Sequence, residues 1–314
     1  MIVVPMLLLS FVGRQWTRFV SPSWTAPLSP SFMGRSLLLC AHDARAIKTA
    51  STTTTSIEGT PALPQPTTDM TATTTTVKQL LLIRHAHSLG NALFEKPGNT
   101  WGSPSFRDDP DIVDSPVSNQ GQEQIRELRQ RLEASSSMRA FLESADLVVV
   151  SPLTRTLQTM EGSVGALLPD HVPILSHPLC RERVYTASDT GRPVEELQRE
   201  YPLVDFSLLL DSSNNKDKNT SNDTTVWWYD GKELDGSTGS YKEWRPHGEG
   251  QWYAVPGEPK DIFEDRMDAF TEWLAQRPEQ KIVLVVHWAV LRHLTGDEFE
   301  NCESRLVDWT PETT

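Results

Sequence analysis

Residues 81–91, LLIRHAHSLGN, begin as an apolar run that changes abruptly to polar residues at Arg84 and His85. Together with residues 79 and 80, this run has the length and composition of a buried strand. In open α/β sheets, ligands bind at the carboxyl ends of the strands. The stretch therefore predicts that the side chains of Arg84 and His85 lie at a ligand-binding edge.

These two residue types together favour phosphate chemistry. The planar guanidinium of Arg84 can hold a phosphate through two parallel hydrogen bonds. Once the charge on the phosphoryl oxygens is neutralised, a neutral imidazole such as that of His85 can attack phosphorus. Asn91 follows six residues later and can donate its amide to the same site. His87 has no evident role and is expected to be solvated or bonded locally.

A second apolar run ends at a Ser-Pro turn in VVVSPLTRTLQT, residues 148–159. The run predicts another strand, and Arg155 then falls in the first turn of the following helix. Acidic residues suit helix N-termini better than basic ones. The position of Arg155 therefore indicates an anion close to the start of this helix.

A third strand candidate, IVLVV at residues 282–286, is followed by His287. Taken alone, His287 could be a hydrogen-bonded core residue. Because it follows a strand as His85 does, and two arginines lie in comparable positions, the four residues together predict one cationic, donor-rich pocket at the edge of a sheet.

The remaining pattern predicts an α/β fold with a mostly parallel central sheet. The predicted strands cover residues 79–83, 146–150, 172–175 and 281–286. The predicted helices cover residues 119–133, 153–168, 262–274 and 288–294. Strands that alternate with helices are typical of a parallel sheet covered by helices.

These stretches, in this order, resemble the motifs of the histidine phosphatase superfamily, whose members are also called phosphoglycerate-mutase-like proteins. The family has a strand followed by Arg-His and Asn, a Ser-Pro-x-x-Arg-x-x-Gln-Thr helix signature, and a late strand followed by His. The matching residues are Arg84, His85, Asn91, Ser151, Pro152, Arg155, Gln158, Thr159 and His287. The stretch DSPVSNQG at residues 114–121 is similar to the segment that leads into the family's first long helix.

The resemblance covers about residues 78–303 and implies a three-layer α/β/α sandwich. The resemblance implies that His85 accepts the phosphoryl group. The oxygens of the phosphoryl group would be held by Arg84, Asn91, Arg155 and His287. His287 would thus be catalytic as well as phosphate-binding. The family uses no metal or other cofactor for this chemistry, because Arg and His stabilise the charge.

Glu182 stands where the family usually carries an acidic residue that protonates the leaving oxygen and later helps to activate water. A carboxyl close to phosphate oxygens is kept protonated by like-charge repulsion, which suits a general acid. The alternative is a salt-bridged residue between Arg181 and Arg183.

Two departures from the family pattern concern substrate and activity. Where small glycines usually follow the late histidine, this chain has Trp288 and Ala289, which predicts a bulkier pocket wall. The His-Tyr-Gly-containing signature of true mutases is replaced by RVYT at residues 183–186. The succession His-Trp, Leu-Arg, Leu-Thr-Gly and Asn-Cys-Glu within residues 287–303 resembles a plant and algal branch of the family.

The leading hypothesis is therefore a phosphomonoesterase that acts on a small phosphorylated substrate. The alternatives are a phosphoglycerate-type mutase and a catalytically silent phosphate-binding module. The substrate's identity and the oligomeric state stay open.

Composition limits the classes of partner. The chain has 314 residues and a formal net charge of −13, which argues against non-specific nucleic-acid binding because that needs a basic face. The three cysteines are widely spaced, which argues against a zinc site or a disulfide framework. The apolar run at residues 2–12 is too short for stable membrane insertion, which needs about 20 residues.

Residues 1–76 differ from the rest of the chain. They lack acidic residues up to His42 and are rich in hydroxyl-bearing and basic residues, a composition typical of an organelle-targeting leader. This predicts a plastid or mitochondrial protein with a phosphatase domain at residues 77–314. If translation starts at Met70, the prediction is a cytoplasmic protein.

Residues 211–225 are almost wholly polar and predict a mobile insertion. The tryptophans that follow, Trp227, Trp228, Trp244 and Trp252, could line a pocket, but packing a minor subdomain is the commoner use of such residues.

Overall fold

The structure, a computed structural model, describes residues 77–210, 226–230, 250–255 and 257–311. The predicted leader at residues 1–76, the predicted insertion at residues 211–225 and Trp244 lie outside the described residues.

A single sheet joins the five strands found in the described ranges, in the order β3-β2-β4-β1-β5. The strands are β1 Lys78–Arg84, β2 Leu147–Val150, β3 Ile174–Ser176, β4 Lys281–Val286 and β5 Ser304–Trp309. β1 to β4 are parallel, and β5 pairs antiparallel with β1. Arg84 pairs with Val286, and Val150 pairs with Val285. The residues that follow β1, β2 and β4 therefore emerge at the same edge.

Helices cover both faces of the sheet. They are α1 Leu89–Glu95, α2 Asn119–Ala134, α3 Ser136–Glu143, α4 Thr154–Met160, α5 Val194–Glu200, α6 Ser207–Leu210, α7 Lys260–Gln276 and α8 Trp288–Thr295. Successive strand side chains point to opposite faces. Leu81 accordingly packs in one core with residues of α2, α3 and α4, and Leu80 packs in a second core with residues of α7 and α8. The predicted three-layer α/β/α sandwich with a mostly parallel sheet is confirmed.

The predicted elements are all present, with ends that differ by a few residues. The predicted helix at residues 153–168 is α4 followed by a π-helical turn, Glu161–Gly165. β5 was not predicted, because its half-buried residues include Arg305 and give no continuous apolar run. α1 was not predicted as a helix, because it contains Gly90 and Asn91, which are poor helix formers.

No helix in the described part of the chain has both the length and the apolar composition to cross a membrane. Cys180 and Cys302 carry free, buried thiols.

Candidate active site

A cavity of about 570 Å³ lies at the carboxyl end of β1. Five residues predicted from the sequence line it, namely Arg84, His85, Asn91, Arg155 and Glu182. The other lining residues are Ser88, Gly90, Phe94, Trp101, Arg183, Tyr185, Ser188, Asp189 and Trp288. The sixth predicted residue, His287, is not part of the lining.

His85 is almost fully buried, and its protonation state is fixed by its contacts. The Nδ1 atom lies 2.7 Å from the carbonyl oxygen of Ala86. Because a carbonyl can only accept, this hydrogen bond places the ring proton on Nδ1 and leaves the lone pair on Nε2. Burial and the guanidinium groups of Arg155 and Arg84 hold the pKa of His85 well below its usual range. The ring is therefore neutral and carries a nucleophilic Nε2.

The end of β1 is held by the turn that precedes β5. The side chain of Asn301 donates to the carbonyl of His85 at 2.9 Å, and the backbone N–H of Cys302 donates to the carbonyl of Arg84 at 3.2 Å. The Nη1 of Arg84 donates to the carbonyl of Phe299 at 2.6 Å. Its Nε is buried and has no hydrogen-bond partner within the described ranges. Arg84 therefore lines the cavity with a guanidinium group whose hydrogen-bonding capacity is not exhausted by these contacts.

Arg155 lies in the first turn of α4, and the anion beside it is a carboxylate of the protein. Its Nη2 donates to Asp189 Oδ1 at 2.8 Å, and its Nη1 donates to the carbonyl of Ser188 at 2.8 Å. Both charged partners are buried. These bonds fix the guanidinium against the cavity wall.

The other residues of the helix signature hold the site in place rather than line it. Thr159 accepts from the backbone N–H of Ala86 at 2.9 Å, next to His85. Gln158 accepts from the backbone N–H of Val117 at 2.8 Å. Ser151 contacts His287, since its Oγ lies 2.7 Å from Nε2 of that ring.

His287 lies against His85 but beneath the cavity surface. The two ring centroids are 5.0 Å apart, and His287 is fully buried. Burial, followed by the charge of Arg155, holds the pKa of His287 well below its usual range. Its Nδ1 is buried without a hydrogen-bond partner in the described part of the chain. The structure thus brings His287 to His85 without exposing it to the cavity.

Asn91 and His87 differ in what they offer the cavity. The side-chain oxygen of Asn91 accepts from the backbone N–H of Ser88 at 3.0 Å, in the capping box that begins α1. This bond occupies the carbonyl and leaves the side-chain NH₂ as the group that Asn91 can offer a ligand. His87 instead lies outside the cavity lining, and its Nδ1 is 2.7 Å from the Oγ of Ser118.

Glu182 is buried in the cavity wall, and its carboxyl has an unusual affinity for protons. Burial, followed by the charge of Asp189, raises the pKa of Glu182 to about 7. The backbone N–H of Arg183 donates to Oε1 at 2.8 Å. A carboxyl with a pKa near neutrality can both donate and accept a proton at physiological pH.

The segment that carries Glu182 is held by a fully buried carboxylate, that of Glu258. Arg181 donates to both of its oxygens, at 2.8 and 2.9 Å, and Arg266 of α7 also donates to both, each at 2.9 Å. The backbone N–H of Val184 donates to Oε2 at 3.1 Å. Burial alone would raise the pKa of Glu258, but the positive charges of Arg181 and Arg266 have the larger effect and lower it to about 2.

No pattern in the sequence indicated Asp189, Glu258, Phe94, Trp101 or Tyr185, whereas Trp288 was predicted to make the pocket wall bulkier and does line the cavity. Their roles depend on contacts between distant segments, such as that of Arg181 with Glu258, 77 positions apart. Of the predicted tryptophans, Trp227 packs against the core and Trp252 is 45% exposed. None of those described lines the cavity, whereas Trp101 and Trp288 do.

Comparison with known proteins gave matches in sequence and in structure. The family model of the histidine phosphatase superfamily (branch 1) matches residues 80–215. Two Arabidopsis thaliana proteins, a phosphoglycerate mutase-like protein and phosphoglycerate mutase-like protein 1, are 24% and 25% identical to this chain. The matches cover 72% and 73% of this chain, and 76% and 80% of those proteins, respectively. Among solved structures, the α-ribazole phosphatase from Shigella flexneri is 18% identical to this chain and has a TM-score of 0.40. The match covers 73% of this chain and 90% of the phosphatase chain.

Proposed function

Because the chain belongs to the histidine phosphatase superfamily, we propose that it is a metal-independent phosphomonoesterase that hydrolyses a small phosphorylated substrate through a phosphohistidine. The observation that carries the proposal is the neutral ring of His85, whose Nε2 is free to attack beside Arg84. The same cavity holds the carboxyl of Glu182, with its pKa of about 7. A nucleophile, a cation and an acid in one cavity are what phosphoryl transfer to a histidine requires.

In the first step, Nε2 of His85 attacks phosphorus, and the bond from phosphorus to the alcohol oxygen breaks. The protonated carboxyl of Glu182 gives its proton to the leaving oxygen, so that a neutral alcohol departs. Arg84, Arg155 and the amide of Asn91 hold the phosphoryl oxygens. The unpartnered Nδ1 of His287 is proposed to contribute once the phosphoryl group occupies the site.

In the second step, the carboxylate of Glu182 takes a proton from a water molecule as that water attacks the phosphohistidine. The bond between nitrogen and phosphorus breaks, inorganic phosphate forms, and the lone pair returns to His85. The carboxyl is then protonated again, so each turnover leaves the enzyme unchanged.

Glu182 is expected to set the pH dependence. Its protonated form is needed for the first step, so kcat/KM for an alkyl phosphate should fall as the pH rises through about 7. Glu182→Gln should remove this alkaline limb and lower kcat/KM by about 10² to 10⁴-fold. With p-nitrophenyl phosphate the loss should be smaller, since nitrophenolate leaves without a proton. Equal losses for both substrates would contradict the acid role.

The activity itself can be tested with p-nitrophenyl phosphate between about pH 5 and pH 8, with EDTA present. The purified full chain should hydrolyse it at the same rate with and without the chelator, because arginine and histidine supply the charge stabilisation. A rate abolished by EDTA would contradict metal independence. Conversion of 3-phosphoglycerate to 2-phosphoglycerate in excess of hydrolysis would instead indicate a mutase.

A further inference from the structure

Besides its charged and polar groups, the cavity is walled by four half-buried aromatic side chains, here called the aromatic wall, those of Phe94, Trp101, Tyr185 and Trp288. They come from α1, two separate loops and the start of α8. Ligand pockets for compounds of drug size span about 300 to 1,000 Å³. The cavity's 570 Å³ therefore accommodates a substrate that is considerably larger than a phosphate group.

The ring of Trp101 is fixed by its neighbours rather than free to leave the cavity. Its centroid lies 5.0 Å from that of Phe94, 5.0 Å from Phe106, 5.6 Å from Tyr185 and 6.1 Å from Tyr253. The contacts with Phe106, Tyr185 and Tyr253 are edge-to-face, the arrangement that aromatic pairs favour. A ring held in this way gives a preorganised surface.

The ring of Trp288 is fixed independently, from a different element. Its indole N–H donates to the carboxylate of Glu298, and the guanidinium of Arg292 lies 5.2 Å from the ring centroid. Two separately anchored tryptophans thus line one cavity.

The arginines of the cavity bear on the charge that the rest of the substrate can carry. Arg155 is paired with Asp189. Arg183 donates from Nε to the carbonyl of Glu258 at 2.9 Å, and its guanidinium lies 5.3 Å from the Tyr185 ring centroid. A cationic group would meet the positive charge of Arg183.

We propose that the aromatic wall binds the alcohol part of the substrate, and that this part is an aromatic group without a positive charge. The inference rests on the proposed phosphatase activity and names its substrate class. A planar ring gains both apolar burial and ring-to-ring contact with the wall, whereas a short polar alcohol gains neither.

The test compares phosphate esters of alcohols with similar leaving tendencies. These are benzyl phosphate, cyclohexylmethyl phosphate, glycerol 3-phosphate and phosphocholine. 3-phosphoglycerate is added as the ester whose alcohol part carries a carboxylate. The kcat/KM for benzyl phosphate should exceed that for glycerol 3-phosphate by about 10- to 100-fold. It should also exceed that for cyclohexylmethyl phosphate by several-fold, because only the aromatic ester gains the ring-to-ring contact.

Variants of the aromatic wall should weaken recognition of the alcohol part of the substrate more than recognition of its phosphate group. Trp101→Leu and Trp288→Leu should each lower kcat/KM for benzyl phosphate by about tenfold more than that for methyl phosphate. Trp101→Phe should restore most of the loss. The matched control is Trp252→Leu, since Trp252 is exposed and lies outside the cavity lining; it should change neither rate.

A second measurement keeps the inference separate from catalysis. Benzylphosphonate and methylphosphonate, which are not hydrolysed, should differ in Kd by about tenfold or more in calorimetric titrations of the full chain. If all esters are hydrolysed equally, or if glycerol 3-phosphate, phosphocholine or 3-phosphoglycerate is hydrolysed in preference to benzyl phosphate, the inference is overturned while the phosphatase proposal stands. If no ester is hydrolysed, the phosphatase proposal fails, and equal Kd values for the two phosphonates would overturn the inference as well.

Discussion

Replacing His85 with Ala is expected to lower kcat for any phosphomonoester by at least about 10³-fold, because the variant lacks the atom to which the phosphoryl group is transferred. The cavity and its cations remain, so substrate affinity should change much less than turnover. Steady-state kinetics of the purified variant, with the fold checked by circular dichroism, measures both quantities.

His87 provides the matched control for this experiment. It is two residues away and equally buried, but it bonds to Ser118 and does not line the cavity. His87→Ala should retain kcat within a few-fold, provided that it remains folded. Comparable activity in His85→Ala and the wild type would remove His85 from the chemistry.

The second large effect concerns stability. Glu258→Gln should lower the free energy of unfolding by about 3 to 5 kcal/mol, because it leaves two buried guanidinium groups without their shared carboxylate. Denaturant titration at neutral pH measures this loss. The control is Glu133→Gln, which breaks an exposed pair with Arg129 and should cost less than about 1 kcal/mol.

The effect of Glu258 has a defined pH window. Its folded pKa of about 2 lies below the ordinary value of 4.5 for a glutamate, so ionised Glu258 contributes stability that is fully present above about pH 4.5. This contribution is lost as the pH falls toward about 2. The difference between the wild type and Glu258→Gln should therefore shrink over that range. Equal stabilities of Glu258→Gln and Glu133→Gln at neutral pH would contradict the role assigned to Glu258.

The fold could be predicted because its central strands are buried on both faces and are therefore continuous apolar runs. β4 was predicted with its observed bounds, and β1 within one residue of each end. β5 was not predicted from the sequence because it is an antiparallel strand that pairs only with β1. Its half-exposed residues can therefore be charged.

The strand-end part of the site was predictable for the same reason. Parallel strands bring their carboxyl ends to one edge, so Arg84 and His85 were expected beside the residues after β2 and β4. The depth of His287 was not predictable, since it depends on its contact with Ser151. The contacts of Asp189 and Glu258 depend on the conformation of loops that are distant in sequence from their partners. No periodic sequence pattern predicts such contacts.

The most direct test of the account is to trap the covalent intermediate. The full chain is mixed with a phosphomonoester, quenched in alkali within one turnover, digested and sequenced by mass spectrometry. The account predicts a phosphoryl group on His85, stable to alkali and lost in acid, and absent from His85→Ala. A phosphoryl group on another residue, or turnover with no phosphorylated peptide while substrate is saturating, would contradict it.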